Sequence, residues 1–419
     1  MKRKTTLCSF IAVIILCVIL STWAAFAASN GALYIRVRLT ADFPARLVPN
    51  TPATLRIEKQ SIPVKAGQPV EIHFTSPHLT VRLDDQTWST QWLALTPNEL
   101  PPAALPTHIY GIAVTGGATY RAGMEAVVYG GLPYLINVVP MNDYLYGVIG
   151  SEMPAGWPLE SLKAQAVAAR TYALNKAVYR EVTDATPWDI CDTKDCQVYS
   201  GTKNEALSTY EAVRNTDRAV LVYVGNDGSY MGKLIDAVYH STSPGRTLNS
   251  EDVWGSYRPY LRSRDDAAFS SKSPWYTWTR SVSITITQLS ALLGMRTIIT
   301  LAPVMQSDQV RGYIAIGDGV SQTFSKEQLR KWYNLPSPSF DLKMTNGKII
   351  TDPTNPGNIL TVVNGRGYGH GVGMSQYGAK SMAEEGWSFS KILKYYYTDV
   401  SIERYNLTGM RIPYGYPGI

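Results

Sequence analysis

What this sequence lacks narrows its reading first. Histidine is scarce, 5 in 419 residues, and none occurs between His108 and His240. Cysteine is scarcer, 4 in all, and Cys8 and Cys17 lie close to the N-terminus. A zinc site built around the other two cysteines would therefore lack histidine ligands nearby. Apart from Lys2, Arg3 and Lys4 there is no run of basic residues. The formal charge of +6 rests on 39 basic and 33 acidic side chains in near balance, which leaves no footprint for nucleic acid. Past the N-terminus no apolar run is long enough to cross a bilayer. No internal repeat or low-complexity tract is present. Charged residues are only 17% and hydrophobic residues 45%, so a packed core is expected and disorder is not.

What is present begins with an export signal. The basic start MKRK precedes the apolar run FIAVIILCVIL, and Ala25-Phe26-Ala27 matches a small-x-small cleavage site. Residues 1–27 read as a signal peptide cleaved after Ala27, with an uncleaved membrane anchor as the alternative. Cys17 lacks the small residue before it that a lipoprotein site requires. The working part of the chain is expected outside the cytoplasm, whether secreted, periplasmic or in the cell wall. There Cys191 and Cys196 form a local disulfide by default. Their C-x4-C spacing also suits two zinc ligands, but only two. Tyr (27) and Trp (10) are plentiful, and both offer a flat apolar face with a polar tip, which suits sugar rings as well as cores.

Residues 28–105 read as a small β-rich accessory module. LYIRVRL, ATLRIEK, VEIHF and LTVRL are short and β-branched, with polar or Pro/Gly stretches between them. Pro101, Pro102 and Pro106 mark a linker. A mixed domain follows over 107–405, with a tail at 406–419. It opens with the strands IYGIAV, EAVVY and YLINVV. Then Leu159, Leu162, Ala166, Ala169, Ala173 and Ala177 recur at helical spacing behind Pro158, which fits a first helical position. Further elements are a helix over 204–215, the strands AVLVYV and ILTVV, a strand leading into a helix in SVSITITQLSALLG, and a helix over about 374–385 ending at Gly386. The fold class is α+β.

Glu152 falls between a strand-like run and the helix after Pro158, flanked by Ile149, Met153, Pro154 and Trp157. An apolar wall disfavours a charged carboxylate, as a general acid requires, whereas a helix N-terminus nearby pushes the other way. Asp143, Glu251 and Asp252 are candidates for a second carboxylate. Glycines at 365, 367, 369, 371 and 373 surround His370, with Ser375 and Gln376 just beyond. Backbone without side chains would let a bulky ligand approach closely there. The spacing does not fit a dinucleotide loop, because Val372 stands where G-x-G-x-x-G needs glycine. His240, Ser241, Thr242 and Thr247 offer polar groups in a turn. No nucleophile elbow accompanies Ser241 or Ser375. At helical spacing, Tyr395, Tyr396 and Tyr397 mostly face core.

Four blocks resemble the stage II sporulation protein D / LytB-like family. In order they are DYLYGVIGSEMPAGWPLESLKAQAVAARTYAL, DICDTKDCQVYSG, HSTSPGRTLNSEDVW and NGRGYGHGVGMSQYGAKSMAEEGWSFSKILKYYYTDV. The resemblance runs over 107–405. It implies a peptidoglycan lytic transglycosylase that cleaves the bond between N-acetylmuramic acid and N-acetylglucosamine and leaves a 1,6-anhydro sugar. The catalytic glutamate of the family falls on Glu152. Lys163, Gln165, Arg170, Tyr172, Gln197, Tyr199, His240, Ser241, Thr242, His370, Ser375 and Gln376 are candidate substrate-binding residues. Some relatives bind zinc at the cysteine block through adjacent histidines. Here Asp195 replaces such a histidine, so a zinc ion would need Asp192 or Asp195, and no metal or cofactor is expected. Relatives usually carry two adjacent glycines in the HSTSPG turn, where Pro244 replaces the first. The resemblance implies glycan strands as partner. A non-catalytic wall-binding modifier of an N-acetylmuramoyl-L-alanine amidase is the alternative.

Overall fold

The computed structural model describes residues 33–99, 110–179, 186–280, 282–306, 309–352 and 354–405. The segment read as a signal peptide, the prolines read as a linker and the tail at 406–419 lie outside the described residues. The class is α+β, and the chain divides into two compact units. The first holds the chain through Val222, then Leu234–Asp236 and the return from Ile402; the second holds Tyr223–Lys233 and Ala237–Ser401.

The first unit starts with two sheets. Strands β1 (Tyr34–Leu39), β2 (Ala45–Pro49), β3 (Ala53–Ile57), β4 (Gln60–Val64), β5 (Val70–Thr75), β6 (His78–Leu83), β7 (Gln86–Thr90) and β8 (Trp92–Pro97) come from the segment read as an accessory module. They do not stand alone. They share sheets with β9 (Gly111–Val114), β10 (Thr119–Arg121), β11 (Gly123–Tyr129), β12 (Leu132–Pro140) and β13 (Ile190–Cys191). One sheet runs β13-β1-β12-β11-β8-β3-β4 and the other β10-β9-β2-β5-β6-β7. Strand pairing therefore crosses the expected boundary near 105–107, and strands 34–97 form part of the first unit.

The alternation seen in the sequence is the burial pattern. In β3, Ala53, Leu55 and Ile57 point inward while Thr54 and Arg56 are half-buried. All pairings in these two sheets are antiparallel except β13, which lies parallel to β1 with Val37 opposite Ile190. A buried ion pair crosses the larger sheet. Arg36 Nη1 donates to Glu125 Oε1 at 3.1 Å, Nη2 contacts Oε2, and Nε donates to the Pro187 carbonyl at 2.6 Å. Three helices follow: α1 (Met141–Glu152), α2 (Leu159–Val178) and α3 (Leu207–Asn215).

The second unit contains two three-stranded antiparallel sheets. One comprises Thr300–Gln306, Gln309–Gly317 and Val320–Ser325; the other Ser283–Thr285, Ile359–Val363 and Asp341–Met344. A single apolar cluster, including Ile284, Leu301, Tyr313, Phe324 and Leu360, packs them. The helices Ile286–Leu292 and Lys326–Trp332 start at Thr285 and Ser325, whose hydroxyls accept the amides of Gln288 and Gln328.

Removing one partner of a buried ion pair leaves a desolvated charge behind. Arg36→Met strands Glu125, so denaturant titration should show a loss of about 3–5 kcal/mol. An unchanged midpoint would mean that water reaches Glu125.

Candidate active site

The segment DYLYGVIGSE is helical. It forms the body of α1, and Glu152 is its last residue, so the strand-like reading is corrected. The two glycines explain the misreading, since each disfavours a helix by about 1 kcal/mol relative to alanine. Packing requires them. A Cβ at Gly147 would overlap the carbonyl oxygen of Gly201 and crowd the Tyr199 ring, and one at Gly150 would overlap the Asn204 carbonyl. Helix α1 thus presses its glycine face onto the 199–204 loop. Glu152 also sits at a helix C-terminal end, where the macrodipole is negative, and the next helix begins only at Leu159. Ile149 and Met153 beside it are buried, and Trp157 is half-buried.

The Glu152 carboxylate accepts the Val198 amide at 2.8 Å. Val198 lies just past the loop closed by the Cys191–Cys196 disulfide. That loop is anchored twice. The Asp192 carboxylate accepts Thr40 N–H at 2.7 Å and the Thr40 hydroxyl at 2.8 Å, and the Asp192 carbonyl accepts Tyr199 N–H at 3.1 Å. Both thiols are spent in the disulfide and no histidine stands in the block, so this donor set does not fit zinc.

Of the cleft candidates in this unit, several brace the site from within. Gln197 is buried; its Oε1 accepts the Tyr144 hydroxyl at 3.0 Å and its Nε2 donates to the Ala169 carbonyl at 3.3 Å. Tyr199, also buried, donates to Asn137 Oδ1 at 2.8 Å. Arg170 is fully buried and bonds the carbonyls of Ala219 (3.1 Å) and Val213 (3.3 Å), tying α2 to α3 and the strand after it; burial lowers its pKa to about 10. Gln165 is fully buried too. Lys163 pairs with Glu160 at 2.7 Å on the helix surface. Tyr172 is buried; burial first, then Asp236, Glu152 and Asp195, hold its hydroxyl protonated. Asn137 and Tyr144, unmarked in the sequence, complete the brace.

The remaining candidates belong to the second unit, where two distant blocks interlock. Tyr239–His240 pairs with Met374–Ser375, Thr242 bridges Tyr368, and Leu248 bridges Val372. The glycines serve this contact. All of Gly367, Gly369, Gly371 and Gly373 have positive φ. Side chains there would meet the Thr242 carbonyl, His240 Cβ, Leu248 and the Val238 carbonyl respectively. The open backbone expected for a ligand is thus occupied by the chain's own turn. Ser375 caps the helix Gln376–Glu384 by accepting Gly378 N–H at 3.2 Å, and it also accepts Ser243 N–H at 3.2 Å. His240 Nδ1 bonds the Val372 carbonyl at 3.0 Å, and His370 Nδ1 accepts Val372 N–H at 3.1 Å. Thr242, Ser375, His240 and Gln376 are buried, whereas Ser241 and His370 are half-buried. Tyr396 and Tyr397 are core residues, as their spacing suggests. A buried carboxylate missed in the sequence, Asp266, accepts Tyr396 OH at 2.7 Å and the Ser270 hydroxyl; burial raises its pKa.

The other candidate carboxylates have separate work. Asp143 lies on α1 nine residues before Glu152, about 13–14 Å along the helix axis. Burial raises its pKa to about 6 against the pull of Arg121. Glu251 pairs with Arg262 at 2.5 Å and Asp252 with Arg311 at 3.2 Å.

These features define a two-unit α+β protein whose candidate acid ends a helix braced by a disulfide-closed loop. The family described as Stage II sporulation protein, SpoIID, matches residues 130–223. Stage II sporulation protein D of Bacillus subtilis is 33% identical over 297 residues, covering 69% of this chain and 82% of that protein. Its counterpart in Bacillus amyloliquefaciens is 35% identical over 283 residues, 66% of this chain and 77% of that one. The amidase enhancer of B. subtilis is 33% identical over 307 residues, which is 62% of this chain but 40% of the enhancer. The chain belongs to the SpoIID family.

Two outcomes are expected. Protein expressed from residue 28 should show no titratable thiol when denatured and two after reduction; stoichiometric zinc released with two free thiols would overturn the disulfide. The second outcome concerns acid. Burial pushes the pKa of His240 down to about 4; burial, then His240 and Arg330, push that of His370 down to about 3. Above pH 6.5 both imidazoles are neutral, folded or unfolded. Below it the unfolded chain takes up protons that the folded chain refuses, so stability falls with pH. The slope is up to about 1.4 kcal/mol per pH unit and histidine, until the folded pKa values are reached. In NMR titration two imidazoles should stay unprotonated down to pH 5. Titration of all of them near pH 6.5 would contradict the burial.

Proposed function

We propose that this chain is a peptidoglycan lytic transglycosylase, with Glu152 as its single acid/base. The observation that carries the reading is the setting of Glu152: a carboxylate fixed at the end of α1 by the Val198 amide, in the family's central motif. Hydrolases that invert configuration need a second carboxylate about 6.5–9.5 Å away to activate water, and retaining ones need it closer. Asp143, the other acid of α1, lies beyond that separation. One carboxyl group suffices for internal attack. It protonates the glycosidic oxygen as the bond to C1 breaks, then takes the proton of the C6 hydroxyl as that oxygen closes on C1. The sugar's own hydroxyl replaces water, and the product ends in 1,6-anhydromuramic acid.

Within this reading, Asn137, Tyr144, Gln197 and Tyr199 position the loop that holds Glu152. The half-buried Ser241 and His370 keep surface for glycan contact. The substrate places the working protein outside the cytoplasm. No helix among the described residues is long and apolar enough to cross a membrane.

The similarity to the amidase enhancer favours a second reading, a wall-binding protein that stimulates a separate amidase. Glu152→Gln separates the two. It keeps the shape and removes the transferable proton, so glycan turnover should fall at least about a hundredfold while binding survives. Mass analysis of wild-type digests should find anhydro ends. Reducing ends carrying solvent oxygen-18 would mean hydrolysis, and no cleavage with amidase stimulation intact in both proteins would favour the modifier.

A further inference from the structure

Three of the exposed aromatic side chains in the second unit lie on or against its glycine-rich stretch and are unaccounted for by the chemistry at Glu152. Trp254 is 42% exposed, Trp275 45% and Tyr368 43%. Each side chain buries somewhat more than half of its surface and leaves the rest to solvent, where an aromatic offers an apolar contact area with a polar tip.

The backbone beneath these rings is fixed. Tyr368 and Thr242 exchange both backbone hydrogen bonds, at 2.8 and 3.1 Å. The Thr242 hydroxyl bonds Ser273 Oγ at 2.7 Å, and Ser273 Oγ accepts the Trp275 amide at 3.1 Å. Tyr368 and Trp275 are thus both hung on Thr242, with ring centres 5.1 Å apart and tilted by 56°. Trp254 ends the short helix Ser250–Trp254, and its ring lies 5.1 Å from that of His370. His370 is itself fixed by the Val372 amide. Two residues of the glycine-rich stretch, two positions apart, therefore each hold one exposed indole.

We propose that Trp254, Trp275 and Tyr368 form a stacking platform for the pyranose rings of an N-acetylhexosamine strand. The proposal rests on the reading of peptidoglycan as substrate. It adds a binding subsite separable from the acid at Glu152. A pyranose presents a flat face of C–H groups bordered by hydroxyls, and an indole or phenol offers the matching apolar face with a polar tip. The backbone beneath the rings is anchored and each ring already leans on a neighbour, which lowers the ordering cost of stacking. A side chain with a purely packing role would be buried throughout, whereas these keep 42% to 45% of their surface in solvent.

The test uses the full exported chain carrying Glu152→Gln, so that glycan is bound and not consumed. It is titrated with a pentamer of N-acetylglucosamine and with glycan strands stripped of peptide, by calorimetry and tryptophan fluorescence. The expected results are a fluorescence change on saturation and an affinity about three- to tenfold weaker for each of Trp275→Ala and Tyr368→Ala. Trp275→Phe and Tyr368→Phe, which keep a ring, should recover most of it. Circular dichroism and thermal melting identify variants that fold. The platform is overturned if folded alanine variants bind like the parent, if fluorescence does not change at saturation, or if neither sugar binds. Digests by the unmutated chain keep the two ideas apart. Anhydro products with unaltered binding in the ring variants sink the platform alone. Ring-dependent binding without anhydro products upholds the platform and sinks the enzyme.

Discussion

The hydrogen bond from the Val198 amide to Glu152 joins two segments 46 residues apart, and the first unit is organised around it. The bond requires α1 to approach the 197–204 loop more closely than a side chain permits. Gly147 and Gly150 grant that approach at the expense of helix propensity. The loop in turn must not drift. The Cys191–Cys196 link and the Asp192 bonds to Thr40 hold the segment just before it, and the Tyr199 bond to Asn137 holds the loop itself. Asp192, Gln197 and Tyr199 are spent on this bracing, which keeps the 191–204 segment against Glu152 in one place.

The second unit reaches a similar end by other means. Its two motif blocks lie more than 100 residues apart in the chain and meet through backbone pairing, with glycines removing the Cβ atoms that would hold them apart. Beneath the contact the Ser243 amide donates to the Ser375 hydroxyl, which meets the Ser270 hydroxyl, and the chain ends on the buried Asp266 and Tyr396. Polar groups there satisfy one another, and the exposed chemistry is left to aromatic rings on the outside.

Much of this was legible in the sequence. The α+β class, helix α2, the disulfide partners and the family follow from periodicity, spacing and four ordered blocks. Helix α1 was not, because two glycines and β-branched Val148 and Ile149 outweigh helical pattern when the 199–204 loop is unseen. Nor was the sharing of sheets across residues 105–107, since alternation shows that a strand exists but not which strand it pairs with. Among site residues, a buried Arg170 or Gln197 reads in sequence like a ligand contact. Both offer polar atoms, and only coordinates show that backbone carbonyls and Tyr144 take them. Asp266 carried no signal of its own, being one acid among 33 Asp and Glu residues with no neighbour that marks it.

The chain leaves the first compact unit after Val222, touches it again at Leu234–Asp236 and comes home at Ile402. Tyr405 then donates its amide to the Arg218 carbonyl at 3.0 Å. A polypeptide delivered N-terminus first must therefore wait for its final residues before this unit is complete. Until then the Arg218 carbonyl lacks that partner, so the first unit stays open while the whole of the second is being made. The second unit, whose last residue is Ser401, can thus close before the first.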